Sequence, residues 1–312
     1  MTQPTPSPVL RIGSRGSPLA LAQAREVQSR LAAACGVPAE RIEIKTIRTT
    51  GDAIQDRPLA TAGGKGLFTK EIEEALLARS IDLAVHSSKD MPTVLPDGLL
   101  LDAFLPREDP RDAFISRTAK SLRDLPRGAV VGTASLRRQA MVKRLRPDLK
   151  VVTLRGNVET RLRKLDAGEA DATLLAVAGL KRLGLLAAAT MVLDIDEVLP
   201  AVGQGAIGIE TRADDEATRA LVTKINDVDT AMALAAERAF LAVLDGSCRT
   251  PIAGHARVSD GVMHFRGMIL RPDGSEAHEA AREGRCAAAA ELGAAAGREL
   301  KDRAGPDFFA TG

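Results

Sequence analysis

Basic side chains recur where predicted strands end and predicted helices begin. They are Arg15, Lys89, Arg137, Arg138, Arg155 and Arg182, and Arg161 lies one helical turn beyond Asn157. Free N–H groups at a helix start attract anions, and the planar guanidinium of arginine makes two parallel hydrogen bonds to a carboxylate. Any one of these residues alone is explained as a solvated surface charge. Seven of them at equivalent positions predict a binding site for carboxylate groups.

Cys248 and Asp90 are the two other side chains that could carry chemistry. Cys248 lies in the polar loop of residues 245–249, where the cation of Arg249 favours the reactive thiolate. The alternative for Cys248 is a buried small hydrophobic residue, as most lone cysteines are. Asp90 follows Lys89 after a predicted strand, where a carboxylate could accept N–H groups or stabilise a cation. The alternative for Asp90 is a cap of a helix or turn.

The charge distribution points to a small anionic ligand. Residues 105–190 carry 18 basic and 9 acidic side chains, a net of +9, although the whole chain is only +2. The chain has no Trp or Tyr and 7 Phe, which argues against a nucleic-acid partner because single-strand binders stack bases on aromatic rings. The three cysteines are far apart, which argues against a disulfide framework and a zinc site, and no metal is predicted.

Segments that would anchor or export the protein are not evident. No apolar run approaches the roughly 20 residues that a membrane span needs. Residues 1–8 lack the basic start and apolar stretch of a signal peptide. We therefore expect a soluble cytoplasmic protein that does not bind membranes.

The remaining sequence predicts elements that could position these side chains. Strands are expected at residues 9–13, 41–49, 82–86, 129–132, 150–154 and 172–177. Helices are expected with Ser17 and Asn157 as N-caps, from Ser135 onwards, and around Phe68, Ile72, Ala75 and Leu76. This alternation predicts two α/β domains with helices on both sheet faces, and such folds bind ligands beyond the carboxyl ends of strands.

The last third has a different pattern, and one long loop interrupts the first. A helix over 230–244, three strands near 253–259, 262–270 and 276–283, and a closing Ala-rich helix predict a smaller α+β domain. Residues 49–66 are polar and glycine-rich, so we expect a mobile lid there, with a plain surface loop as the alternative.

Seven stretches of the chain closely resemble the porphobilinogen deaminases, also called hydroxymethylbilane synthases. In family order they are RIGSRGSPLAL at 11–21, GGKGLF at 63–68, HSSKD at 86–90, VGTASLRRQ at 131–139, LRGNV at 154–158, LPAVGQGAIG at 199–208 and GSCRTPI at 246–252. They are spread along the chain, so the resemblance covers nearly the whole of it from about Leu10.

The resemblance implies a fold and a reaction. The fold is two α/β domains resembling two-lobed, periplasmic-binding-protein-like ligand-binding folds, plus a smaller C-terminal α+β domain. The domains would be 1–104 with about 200–225, then 105–199, then 226–312. The enzyme would be a transferase that joins four porphobilinogen molecules head to tail, losing ammonia each time. It would do so on a covalent dipyrromethane cofactor and then release hydroxymethylbilane by hydrolysis.

The resemblance also assigns residues. Cys248 matches the cofactor-attachment cysteine, and Asp90 matches the catalytic aspartate that contacts pyrrole N–H groups and stabilises the azafulvene cation. Cofactor carboxylates would be held by Lys89, Thr133, Ser135, Arg137 and Arg138, and substrate by Arg15, Ser17, Arg155, Arg161 and Arg182, with Lys65 in the active-site loop. Thr61 stands where some members carry a second loop lysine. A monomer is implied. The rival interpretation is a non-catalytic two-lobed anion-binding protein, which would share the fold.

Overall fold

The computed structural model describes residues 9–53, 66–244 and 250–310. Its strands are β1 (Leu10–Ser14), β2 (Ile42–Thr46), β3 (Leu83–Ser87), β4 (Leu99–Phe104), β5 (Asp112–Ser116), β6 (Val130–Gly132), β7 (Lys150–Val152), β8 (Ala172–Ala176), β9 (Met191–Val192), β10 (Ile207–Arg212), β11 (Ile252–Ser259), β12 (Val262–Leu270) and β13 (Ala277–Arg285). Cys248, Lys65, Thr61 and most of the predicted lid lie outside the described residues.

The helices follow the same chain order. They are α1 (Pro18–Cys35), α2 (Thr50–Ala53), α3 (Lys70–Leu77), α4 (Leu136–Leu145), α5 (Val158–Asp166), α6 (Val177–Arg182), α7 (Glu216–Thr223), α8 (Val228–Val243), α9 (Ala289–Ala304) and α10 (Pro306–Ala310). Within the described part of the chain, none of them is long and apolar enough to cross a membrane.

The first compact unit contains residues 9–53, Gly66–Arg107 and Ala206–Ala231. Its sheet has the strand order β2-β1-β3-β10-β4, in which β1 is parallel to β2 and β3, whereas β10 is antiparallel to its two neighbours. Ser17 caps α1 by accepting the Ala20 N–H, and Pro18 occupies the start of the helix, where a missing N–H costs nothing. Apolar side chains such as Ile12 and Leu83 form the core beneath α1.

The second unit contains Glu108–Gly205 and the described part of Met232–Gly312. Its five-stranded sheet has the order β7-β6-β8-β5-β9, with β6 parallel to β7 and β8, and β5 antiparallel to β8 and β9. The predicted cap Asn157 begins α5 and Ser135, the predicted start of a helix, caps α4, each by accepting an N–H of the first helical turn. The loops that precede these helices contain Thr133 and Arg155 of the predicted binding residues.

The C-terminal part of this unit is an antiparallel sheet of β11, β12 and β13 covered by helices. Phe240 of α8 packs on Phe265 with ring centroids 5.1 Å apart, and both rings are fully buried. Met268 and Leu270 of β12 also join the core beneath α4. The predicted class, two α/β sheets plus a smaller α+β part, is confirmed.

One local prediction is wrong. Residues 49–66 were expected to be irregular throughout, but Thr50–Ala53 form the short helix α2. Thr49 and Asp52 stabilise this turn, because the Thr49 hydroxyl donates to Asp52 and the Asp52 N–H donates to the Thr49 carbonyl. These two hydrogen bonds hold a single turn of helix where composition alone suggests a loop.

Candidate functional site

Asp90 lies in an exposed turn at the carboxyl end of β3. The strand ends at Ser87, and Ser88–Asp90 form one turn of 3₁₀ helix in which Lys89 and Asp90 are exposed. The Met91 N–H closes the turn on the Ser88 carbonyl at 3.3 Å. The Ser88 N–H donates to the Ala206 carbonyl at 3.0 Å, which ties this turn to the segment entering β10.

A buried polar pair lies beneath this turn, and sequence reasoning missed it. His86 Nε2 is 3.0 Å from Glu210 Oε2, and the two side chains are 4% and 0% exposed. Glu73 of α3 is also buried, and burial raises its pKa, with the charge of Glu210 adding to the effect. The signal available in the sequence was a histidine at the end of an otherwise apolar strand.

Arg15 and Ser17 follow β1. The Arg15 guanidinium forms a salt bridge with Asp52 and lies over the ring of Phe68, 4.1 Å from its centroid. Burial opposes ionisation of Asp52, but the hydrogen bond and charge of Arg15 outweigh it and hold the pKa of Asp52 below its usual range. Ser17 Oγ is engaged by the Ala20 N–H as the cap of α1. Arg15 is therefore held by a carboxylate of its own chain.

Thr133 and Ser135 lie between β6 and α4. Thr133 is buried, and its hydroxyl oxygen accepts the Ser135 N–H at 3.1 Å. Ser135 Oγ accepts the Arg138 N–H at 3.4 Å and so caps the helix. These two hydroxyls shape the start of α4, from which Arg137 and Arg138 project.

Arg137 and Arg138 are buried side by side rather than exposed. Asp112 accepts Arg137 Nη2 at 2.7 Å and Arg138 Nη2 at 2.8 Å, and it is fully buried between them. Arg137 Nη1 also donates to the Leu199 carbonyl, and Arg138 Nη1 to the Leu174 carbonyl, both at 2.9 Å. Among the described residues, the buried Arg137 Nε has no acceptor.

Arg155, Arg161 and Arg182 all lie in the second unit, in a loop, within α5 and at the end of α6. Arg155 is in the loop between β7 and α5, and Arg161 of α5 donates from Nε to the Gly156 carbonyl of that loop at 2.8 Å. Arg182 was expected where a strand gives way to a helix, which is wrong. It is the last residue of α6, because that helix already begins at Val177, and its Nη2 reaches the Gly205 carbonyl at 3.1 Å.

Gln204 and Glu237 are further buried polar residues that the predicted site did not include. Gln204 Nε2 donates to the Pro110 carbonyl at 2.7 Å and to Asp112 Oδ1 at 2.8 Å. Glu237 of α8 is fully buried and accepts the Gly203 N–H at 2.6 Å and the Ala256 N–H at 2.7 Å. The turn from Gly203 to Gly205 therefore connects the C-terminal sheet and α8 to the arginine pair.

Two family models match the chain. The model described as "Porphobilinogen deaminase, dipyromethane cofactor binding domain" matches residues 10–220, and "Porphobilinogen deaminase, C-terminal domain" matches residues 231–302. The chain belongs to the porphobilinogen deaminase family. The family resemblance read from the seven sequence stretches is thus confirmed.

Curated relatives agree with this assignment. The chain is 70% identical to the porphobilinogen deaminase of Nitrobacter hamburgensis, over 96% of this chain and 94% of that one. The porphobilinogen deaminase of Nitrobacter winogradskyi is 69% identical over the same shares. Among solved structures, a periplasmic substrate-binding protein of an ABC transporter from Coxiella burnetii matches 70% of this chain and 92% of its own, with 16% identity and a TM-score of 0.43.

The deaminase family model names a dipyromethane cofactor, and the arginine pair fits such an acidic group. Two buried guanidiniums share one carboxylate, so the cluster of Arg137, Arg138 and Asp112 carries a net positive charge. A buried net charge is costly unless it is paired, and Arg137 Nε is a donor that still lacks an acceptor among the described residues. A carboxylate is the group that would satisfy both features.

Proposed function

We propose that this deaminase is a hydroxymethylbilane synthase. It joins four porphobilinogen molecules head to tail, with loss of one ammonia at each addition, and releases linear hydroxymethylbilane by hydrolysis. The observation that carries the proposal is the buried Arg137–Arg138 pair on one carboxylate, in a chain that matches the family over nearly its whole length. Porphobilinogen carries an acetate and a propionate, which are the groups that such an arginine site recognises.

Cys248 and Asp90 have the two central roles in this proposal. Cys248 attaches the dipyrromethane through a thioether, and its segment lies outside the described residues. The cofactor, when bound, supplies the pyrrole end onto which substrate units are added. Asp90, exposed at the end of β3, offers an acceptor for pyrrole N–H groups and a fixed negative charge where positive charge develops as substrate loses ammonia.

The basic residues hold the carboxylates of cofactor, substrate and growing chain. Arg137 and Arg138 hold cofactor carboxylates together with Lys89, Thr133 and Ser135. Substrate and chain carboxylates are bound by Arg15, Ser17, Arg155, Arg161 and Arg182, with Lys65 acting from the loop. Every unit added brings two more negative charges, so a site without these cations would repel its own product.

The oligomeric state and location are proposed on sequence grounds. The family resemblance supports a monomer, and the sequence pattern supports a cytoplasmic enzyme without a nucleic-acid partner. The rival, a non-catalytic anion-binding protein, is not favoured by the match to deaminases at 70% identity.

Intact-mass spectrometry tests the proposal directly. The purified wild-type chain is expected to carry a covalent addition that matches a dipyrromethane, and Cys248→Ser is expected to lack it. Cys286→Ser is the matched control, because Cys286 follows β13 and its thiol donates to the Gly261 carbonyl. Asp90→Ala is expected to keep the addition and lose nearly all turnover. An active wild type without any covalent addition would exclude the proposed chemistry.

A further inference from the structure

Asp112 is the centre of a buried polar cluster in the second unit. It lies on β5, within the run Asp-Ala-Phe-Ile-Ser, and its side chain is 0% exposed. Four N–H groups converge on its carboxylate. Arg138 donates to Oδ1 from Nε at 3.3 Å and Nη2 at 2.8 Å, Gln204 to Oδ1 at 2.8 Å, and Arg137 to Oδ2 at 2.7 Å.

The charges in this cluster do not balance. Burial opposes the ionisation of Asp112, but the charges of Arg137 and Arg138 outweigh it and hold the pKa of Asp112 far below its usual range. The carboxylate is therefore ionised at neutral pH, and with two guanidiniums the cluster has a net charge of +1. Asp112 offsets the repulsion between two neighbouring buried cations, which without it would favour other rotamers or entry of water.

Hydrogen bonds to main-chain carbonyls hold the other side chains of the cluster in place. Arg137 and Arg138 each donate to a main-chain carbonyl, that of Leu199 and that of Leu174. Gln204 also donates to the Pro110 carbonyl at 2.7 Å, two residues before Asp112. Asp112 thus joins β5, α4 and the turn containing Gln204, whereas Arg137 Nε still lacks an acceptor among the described residues.

We propose that Asp112 is a positioning residue for the carboxylate-binding arginines. It holds both guanidiniums in one arrangement and cancels one of their two positive charges. The site that remains has a net charge of +1 and can bind one further carboxylate. This inference rests on the proposed function, since the incoming carboxylate is that of the cofactor or substrate. Asp112 acts through Arg137 and Arg138 and does not itself contact the reacting atoms.

Loading of the enzyme tests this inference independently of turnover. Asp112→Asn keeps the size of the side chain and removes its charge, so the arginines lose their common acceptor. The fraction of full-length protein that carries the covalent addition, measured by intact mass, is expected to fall several-fold. In the loaded fraction, kcat is expected to fall on the order of 100-fold, as misplaced binding groups do, with a smaller change in KM.

Further variants separate positioning from simple loss of stability. Asp112→Glu retains the charge and is expected to recover part of the loading that Asp112→Asn loses. Gln204→Met removes two hydrogen bonds without changing any charge and is expected to lower loading less than Asp112→Asn. Gln28→Met is the matched control, because Gln28 also donates two hydrogen bonds, in its case to the main-chain carbonyls of Ala39 and Ile42, but lies in α1. It should lower the unfolding midpoint and leave loading unchanged.

The outcomes distinguish this inference from the function on which it rests. A wild type without covalent addition or turnover would defeat the proposed function. A normal wild type together with an Asp112→Asn protein that loads and turns over equally well would overturn the positioning role alone. If the Asp112 variants do not fold, Gln204→Met decides: reduced loading relative to Gln28→Met supports the role, and equal loading contradicts it.

Discussion

Replacement of Gly205 by alanine tests how tightly the chain turns beside the arginine cluster. Gly205 is buried and has a φ of +91°, a conformation that side chains rarely adopt. An added Cβ would lie 3.2 Å from the Glu108 carbonyl carbon and 3.4 Å from the Asp109 carbonyl oxygen, and it would overlap the Glu108 carbonyl oxygen. Gly128 is the matched control, because its φ is +80° and a Cβ there would meet nothing within 4 Å.

The two glycines separate the cost of the backbone conformation from the cost of the overlap. A left-handed conformation costs alanine about 1–2 kcal/mol, and loss of unfolded-chain entropy returns about 0.4–1 kcal/mol. We therefore expect Gly128→Ala to destabilise the protein by about 1 kcal/mol or less. Gly205→Ala adds overpacking against a backbone carbonyl, about 1–3 kcal/mol, for a total of about 2–4 kcal/mol.

Urea unfolding of both variants measures the difference. With a denaturant slope of about 1–3 kcal/mol per molar, the midpoint of Gly205→Ala is expected about 1 M below that of Gly128→Ala. We also expect Gly205→Ala to lower enzymatic activity more than Gly128→Ala does. The Gly205 carbonyl accepts Arg182 Nη2 and the Glu108 N–H, so a shifted turn would also move Gln204. Equal midpoints and equal activities for the two variants would show that the turn relaxes freely and would refute this reasoning.

Two further predictions concern one buried carboxyl group and one arginine. Burial, with the added charge of Glu210, raises the pKa of Glu73 in the folded protein, so the native state binds its proton more tightly and stability falls as pH rises through that range. Glu73→Gln should therefore raise the thermal unfolding midpoint more at about pH 8 than at about pH 4. Glu74→Gln, at an exposed position, should show no such pH dependence. An equal gain in midpoint at both pH values for Glu73→Gln would contradict the prediction. Arg155→Leu should lower kcat/KM for porphobilinogen by about 10- to 100-fold through loss of a charge-assisted hydrogen bond, with stalled chain lengths visible by intact mass. Arg163→Leu on α5 is the control for Arg155→Leu. Unchanged kinetics for Arg155→Leu would show that Arg155 is not part of the substrate site.

Local signals in the sequence were sufficient for many elements. Ser17 and Asn157 were predicted as helix caps and a helix was predicted from Ser135, and each of the three accepts an N–H of its own first turn. Such caps depend on residues three positions apart, so they can be read directly from the sequence. The three strands of the C-terminal sheet were also predicted to within a few residues, because turn residues separate them.

Long-range pairing could not be predicted in the same way. β10 lies between β3 and β4, although more than 100 residues separate it from both in the chain. Neither β4 nor β10 was predicted from the local pattern, and no local pattern specifies which strands pair at that distance. The pair His86–Glu210 depends on this crossing, since its two members come from β3 and β10. Its recognition required the sheet order first.

The acidic partners of the arginines could not be predicted from the sequence either. They reduce the positive charge that is available to a ligand. The excess of basic side chains in residues 105–190 suggested cations that are available to bind a ligand. Yet Arg137 and Arg138 of that segment share Asp112, and Arg15, which lies outside it, already binds Asp52. A ligand carboxylate therefore meets the charge that remains after these internal pairs, not the sum of the arginines. At the Asp112 cluster that remainder is a single positive charge, because one buried aspartate of β5 offsets one of the two guanidiniums. The number of carboxylates that such a site can bind therefore depends on its buried acids as much as on its arginines.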